Sequence, residues 1–237
     1  MTSPNTMARI AGSLYLFASL AFLLAVSVRS GFTKASDAAG TADHIRSSAS
    51  LYRLTLTGEL VSWTLFLLMV MALYLLLSSV HRMSAAAMVV FVVVLVTVGF
   101  LNDLNQYTAL TIATDAAYPK ALGVDASNAL VMLAVQTQNN GFLINEMFWG
   151  LWLLPLGYLV IRSRWFPKLM GILLLVAAIN WIAQFFLDLL GITYPGVVAQ
   201  ILGAGELVFM AWLILFGVNL PAADRPGAVV ATSLELQ

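Results

Sequence analysis

QTQNNGFLINEMFWGLWLLPLGYLVIR, residues 136 to 162, begins amide-rich, carries an ionisable residue at Glu146 and turns aromatic at Phe148, Trp149 and Trp152. It runs into the basic cluster Arg162, Arg164 and Lys168. That profile predicts a membrane-spanning helix with a polar half, an apolar half and a charged end that stops it at the bilayer surface. The composition around it agrees. Hydrophobic residues make up 61% of the chain and charged residues 9%, with a mean hydropathy of +0.94. Ordinary soluble domains run at roughly 45–50% apolar and about 25% charged. The reading is an integral membrane protein, all-α and polytopic, with the lipid bilayer as its first partner.

A net charge of zero removes the clustered Lys and Arg that a nucleic-acid backbone demands. With no cysteine there is no disulfide, thiolate metal site or cysteine nucleophile. Six spans are predicted, at residues 10–28, 52–80, 85–113, 126–161, 169–190 and 196–218, followed by a disordered tail at 221–237 rich in Pro, Gly and Ala. Residues 1–220 form one transmembrane domain in this reading. The first span is too long for a signal-peptide core and closes at Arg29 without a small-residue cleavage site. Residues 30–50 and 114–125 are read as loops. The fourth span, at about 1.5 Å per residue, exceeds a roughly 30 Å hydrocarbon core. It must project beyond the bilayer or break at Asn139, Asn140 and Gly141. Short basic connections at Arg82 and at Arg162 to Lys168 put those turns, and both termini, in the cytoplasm. Arg29, Lys34, Arg46 and Arg53 in and beside the first loop argue the other way.

Each of the last five spans carries one acid: Glu59, Asp103, Glu146, Asp188 and Glu206. All fall near mid-bilayer or in the half away from the basic turns, with Asp188 close to the interface. Polar neighbours reinforce the pattern. Asn102, Asn105 and Gln106 cluster around Asp103; Asn180, Gln184 and Asp188 recur at i, i+4, i+8 on one helical face; Asn139 leads toward Glu146 and Trp149. A carboxylate at the bilayer centre costs about 2.5 to 3.5 kcal/mol on the lenient insertion scale, so such groups face a bundle interior or a cavity. With no Lys or Arg deep in any span, the acids require protons, water or a cationic partner. Single amides such as Asn180 also serve as interhelical hydrogen-bonding groups.

Trp149 and Trp63 follow Glu146 and Glu59 by one turn, a spacing that suits a carboxylate–aromatic pocket for a cationic or amphipathic ligand. His44 and His81 lie on opposite faces in this topology, which excludes bis-histidine haem ligation and a multi-histidine zinc site. No nucleotide-binding, serine-hydrolase or zinc-protease motif is present. No catalytic residue and no cofactor is assigned. The acids alone would suit a hard cation. The expected function is binding or translocation of a small polar or cationic solute in an acidic cavity open to the outside. Glu59, Asp103, Glu146, Glu206, Asn102, Gln106, Asn139, Trp149, Asn180 and Gln184 are its candidate ligand-binding residues. An intramembrane carboxylate- or metal-dependent enzyme and a non-catalytic membrane partner or assembly factor are the alternatives.

Asn140-Gly141, Phe148, Gly150, Gly157-Tyr158-Leu159, Arg162-Ser163, Pro167 and Gly171 resemble the most recognisable segment of a bacterial multi-pass membrane family, domain of unknown function 4386. Arg9-Ile10-Ala11-Gly12 with Leu14-Tyr15-Leu16 is similar to that family's first span, and Ala72-Leu73-Tyr74 with Leu76-Leu77 to its second. The resemblance covers about residues 8 to 218. It implies about six helices in the cytoplasmic membrane and no particular substrate.

Overall fold

A computed structural model describes residues 3–34 and 36–219; the tail predicted for 221–237 lies outside the described residues. Among the described residues the regular structure is helical and contains no strand. Six helical segments are long and apolar enough to cross a bilayer. The chain is therefore a multi-pass membrane protein. The spans are α1 (Pro4–Ser30), α3 (Ala49–Leu77), α4 (Arg82–Thr114), α6 (Val124–Ser163), α7 (Lys168–Leu189), and a sixth made of α8 (Gly196–Gly203) and α9 (Gly205–Leu215). The predicted loops contain two further helices, α2 (Ala38–Ser47) and α5 (Ala117–Leu122).

Local chemistry sets the ends. The Ser3 hydroxyl accepts from the Thr6 amide at 3.1 Å with Pro4 in the first turn of α1, an arrangement that satisfies an amide the helix leaves unpaired. Asp37 caps α2 through the Gly40 amide at 2.7 Å, and His81 Nδ1 caps α4 through Ser84 at 3.2 Å. α6 stops where Arg164 turns left-handed, at φ 58°, and Pro167 precedes α7.

The spans pack in chain order and close into a ring: α1 on α3, α3 on α4, α4 on α6, α6 on α7, α7 on α9 and α9 on α1. Large side chains fill the interior. Tyr15, Phe66 and Trp152 meet edge to face with centroids 5.3 to 6.2 Å apart, the preferred geometry of aromatic pairs. Large aliphatic side chains such as Leu24, Leu75 and Ile179 remain exposed on the outside, where lipid replaces water as solvent.

One expectation changes here, and one pair of alternatives is decided. Residues 30–50 are not simply a loop. Thr41, Ala42 and Ile45 of α2 are fully buried and pack with Phe32, Tyr52, Leu110 and Val131 into a second core. Ala42 and Ile45 sit at helical spacing, which short polar neighbours conceal in a composition reading. The fourth span neither breaks at Asn139–Gly141 nor is interrupted at Pro155. It is one helix of 40 residues, about 60 Å long. Its first three turns project past the bilayer length and are covered by α2 and the end of α4. The sixth span does break, at Ala204 between two glycines.

Candidate functional site

The acids separate into three places. In the first, Glu59 on α3 forms an ion pair with Arg29 at the end of α1, and Gln106 on α4 donates to the same Oε1 from 3.2 Å. Asp103, one turn before Gln106, lies within electrostatic reach of Glu59. Its Oδ2 accepts from the Trp63 indole at 3.1 Å. Gly99 makes this possible, since a Cβ there would sit 2.6 Å from the Trp63 ring. The finding corrects the expectation that no basic residue reaches the buried acids. Arg29 is buried, and its guanidinium lies over the Phe142 ring at 5.1 Å, because a long side chain at a helix end can reach inward along its own helix.

In the second place, Glu206 stands in the first turn of α9 directly after the break. It accepts from the Tyr15 hydroxyl at 2.5 Å and from the Trp181 indole at 2.7 Å, with Trp149 a neighbour on the same cavity wall. The two donors belong to α1 and α7, so one carboxylate joins three spans. A cavity of about 720 Å³ opens beside it. Its walls include Phe22, Trp63, Phe66, Trp149 and Trp181, with Ser19, Ser62, Gln184 and Gln200 as polar points. Among the described residues no Lys or Arg lines it. α1 and α8 both contribute walls, whereas α8 packs on α7 and α1 on α3 and α9. Exposed Leu23 and Leu207 flank the cavity.

Glu146 occupies a third place, half-buried on α6 and near Asp188 of α7. The structure thus brings Glu59, Asp103 and Gln106 together and sets Glu206, Trp149 and Gln184 around a separate cavity. Asn102 donates to the Gln138 carbonyl at 2.9 Å and ties α4 to α6. Asn180 donates to the Ala199 carbonyl at 3.2 Å and accepts from the Tyr194 hydroxyl at 3.0 Å, an interhelical role. Asn139 is exposed on α6, and the buried amides of that helix are Gln138 and Asn145. One residue rotates the direction by about 100°, and the buried stripe runs through Val131, Val135, Gln138 and Asn145.

The residues that sequence reasoning missed are the donors: Tyr15, Trp181 and Arg29. Tyr15 stood inside a motif of the first span, but its partner lies 191 residues away. Among the described residues no group of three or more His, Cys, Asp or Glu is placed to hold a metal ion. Side chains capable of acid–base chemistry are present, but no nucleophile–base pair is assembled beside the cavity.

The glycines of the α6–α7 segment have a packing role. A Cβ on Gly150 would come within 2.7 Å of the Ala178 carbonyl, and Gly157 and Gly171 face each other's carbonyls across the same crossing. Comparison with curated proteins and with solved structures found no match. Residues 10–217 match the profile of the family described as Domain of unknown function (DUF4386), which covers every span described above. The chain belongs to that family.

Proposed function

We propose that the protein binds an amphipathic organic cation in the aromatic cavity, with Glu206 as counter-ion. The observation that carries this reading is a carboxylate with no basic residue along the cavity walls among the described residues, held by two aromatic donors, Tyr15 and Trp181. Tyr15 and Trp181 orient the carboxylate without neutralising it. A cationic ligand would supply the missing charge, and the indole faces of Trp63, Trp149 and Trp181 would add cation–π attraction. The volume, about 720 Å³, lies within the range of roughly 300–1,000 Å³ usual for small-molecule sites. At the other end of the bundle, on the side of the termini, Gly12 of α1 lies against Leu213 and Ile214 of α9. In the proposed topology that is the cytoplasmic side, and the cavity faces outward.

The test is binding of tetraphenylphosphonium to purified protein in detergent, followed by tryptophan fluorescence and calorimetry, with tetraphenylborate as the isosteric anion. Saturable binding of the cation alone, weakened at least about tenfold by Glu206→Gln (about 1.4 kcal/mol), supports the reading. Equal binding of the two ions, or an unchanged affinity in the variant, overturns it.

A further inference from the structure

The pairing of Arg29 with Glu59 leaves one buried carboxylate in excess. Glu59 is 0% exposed and Asp103 2%, each lies within electrostatic reach of the other, and the cation facing them among the described residues is the guanidinium of Arg29. The local formal charge is therefore one negative unit. The oxygen atoms give a second, independent account. Glu59 Oε1 accepts from Arg29 and Gln106, and Asp103 Oδ2 accepts from Trp63. Glu59 Oε2, Asp103 Oδ1 and Gln106 Oε1 are buried without any donor among the described residues. All three are acceptors. The Tyr52 hydroxyl, buried on α3 and electrostatically coupled to Arg29 and Glu59, is also unpartnered. Buried acceptors in folded proteins are almost always satisfied, and a buried charge requires a compensating one.

We propose that Glu59, Asp103 and Gln106 form a binding site for one monovalent cation, delivered as Na⁺ or as a proton. Oxygen-only donors select a hard cation. A net charge of minus one selects a single positive charge, since a divalent ion would leave the buried cluster positive. The groups facing the site are Arg29 from α1, Glu59 and Tyr52 from α3, and Asp103 and Gln106 from α4. From α6 come neutral groups, Phe142 over the guanidinium and the Gln138 backbone on Asn102. Arg46 of α2 is held at the far end of α4 by the Ala113 carbonyl and Asp43. The site is separate from the Glu206 cavity and does not depend on its ligand.

The experiment is thermal unfolding of the purified protein in detergent. One arm titrates Na⁺ against N-methylglucamine at constant ionic strength and pH 8; the other lowers pH from 8 to 5 without Na⁺. Both are repeated in the Glu206→Gln background, so that an organic cation in the aromatic cavity contributes nothing. The expected result is a saturable rise of the midpoint by about 5 °C in one arm. A rise with Na⁺ identifies the metal ion, and a rise with acid alone identifies the proton. Asp103→Asn balances the charge without changing shape and abolishes that dependence. Glu59→Gln leaves Arg29 and Asp103 balanced and does the same, which keeps the test usable if the first variant folds poorly. Absence of a rise in both arms, or a dependence that survives both substitutions, overturns the proposal.

Discussion

The Trp63 indole nitrogen donates to Asp103 Oδ2 at 3.1 Å, while the ring of the same residue walls the cavity beside Glu206. One rigid side chain therefore touches both the buried carboxylate pair and the aromatic cavity. Its ring is held against Trp149 at 5.9 Å and against the bare backbone of Gly99, which leaves it little freedom to reorient. Trp63→Phe separates the two contacts. A phenyl ring still walls the cavity, but Asp103 loses its indole donor. The expected cost is about 2 kcal/mol of stability, with tetraphenylphosphonium affinity reduced less than tenfold. Thermal unfolding and fluorescence titration of the same preparation measure both.

Removing Arg29 should be far more damaging than removing its ion pair. Arg29→Gln leaves Glu59 and Asp103 as two buried carboxylates with no cation, a loss of about 3 to 5 kcal/mol for a broken buried pair. Arg29→Gln combined with Glu59→Gln restores a single carboxylate and two amides able to hydrogen-bond. The double variant should unfold at a higher temperature than Arg29→Gln alone. A double-mutant cycle on unfolding midpoints gives the coupling, and near-additive losses would contradict it.

The α6–α7 crossing depends on two glycines. A Cβ on Gly171 would lie 2.7 Å from the Gly157 carbonyl and 2.4 Å from Ile161 Cγ1, so close approach of the helices requires hydrogen at both positions. Gly171→Leu should cost about 3 kcal/mol, the upper end for overpacking, because backbone is the obstacle. Gly196→Ala meets nothing within 4 Å and should change stability by less than about 0.5 kcal/mol. Comparing detergent-solubilised yield and unfolding midpoint of the two variants checks the contrast.

Orientation can be read with single cysteines, since the chain has none of its own. Asp115 and Arg82 are both exposed and lie at opposite ends of α4. With the basic turns in the cytoplasm, Asp115→Cys should react with an impermeant maleimide on intact cells. Arg82→Cys should react only after permeabilisation. The reverse pattern would invert the topology.

The helices and the depth of the acids were legible because both depend on neighbours in sequence. A run of about twenty apolar residues must cross a bilayer as helix, since its backbone finds no water there. Partners of the acids were not legible. Glu59 and Arg29 are 30 residues apart, and Tyr15 and Glu206 are 191 apart. α2 was hidden for a related reason. Its buried face consists of Thr41, Ala42 and Ile45, too small a set to stand out from a polar segment.

The sequence by itself determined that this is a six-span helical membrane protein with one acid in each of its last five spans, because hydrophobicity and rise per residue act locally along the chain. The tertiary structure alone decided that Glu59 and Asp103 share one cluster with Arg29 while Glu206 stands in an aromatic cavity of its own. That division follows from the rotation and register of each helix about its axis. Contacts such as Gly157 on Gly171 and Gly12 on Leu213 set both, and a turn of 100° moves a side chain from one cluster to the lipid.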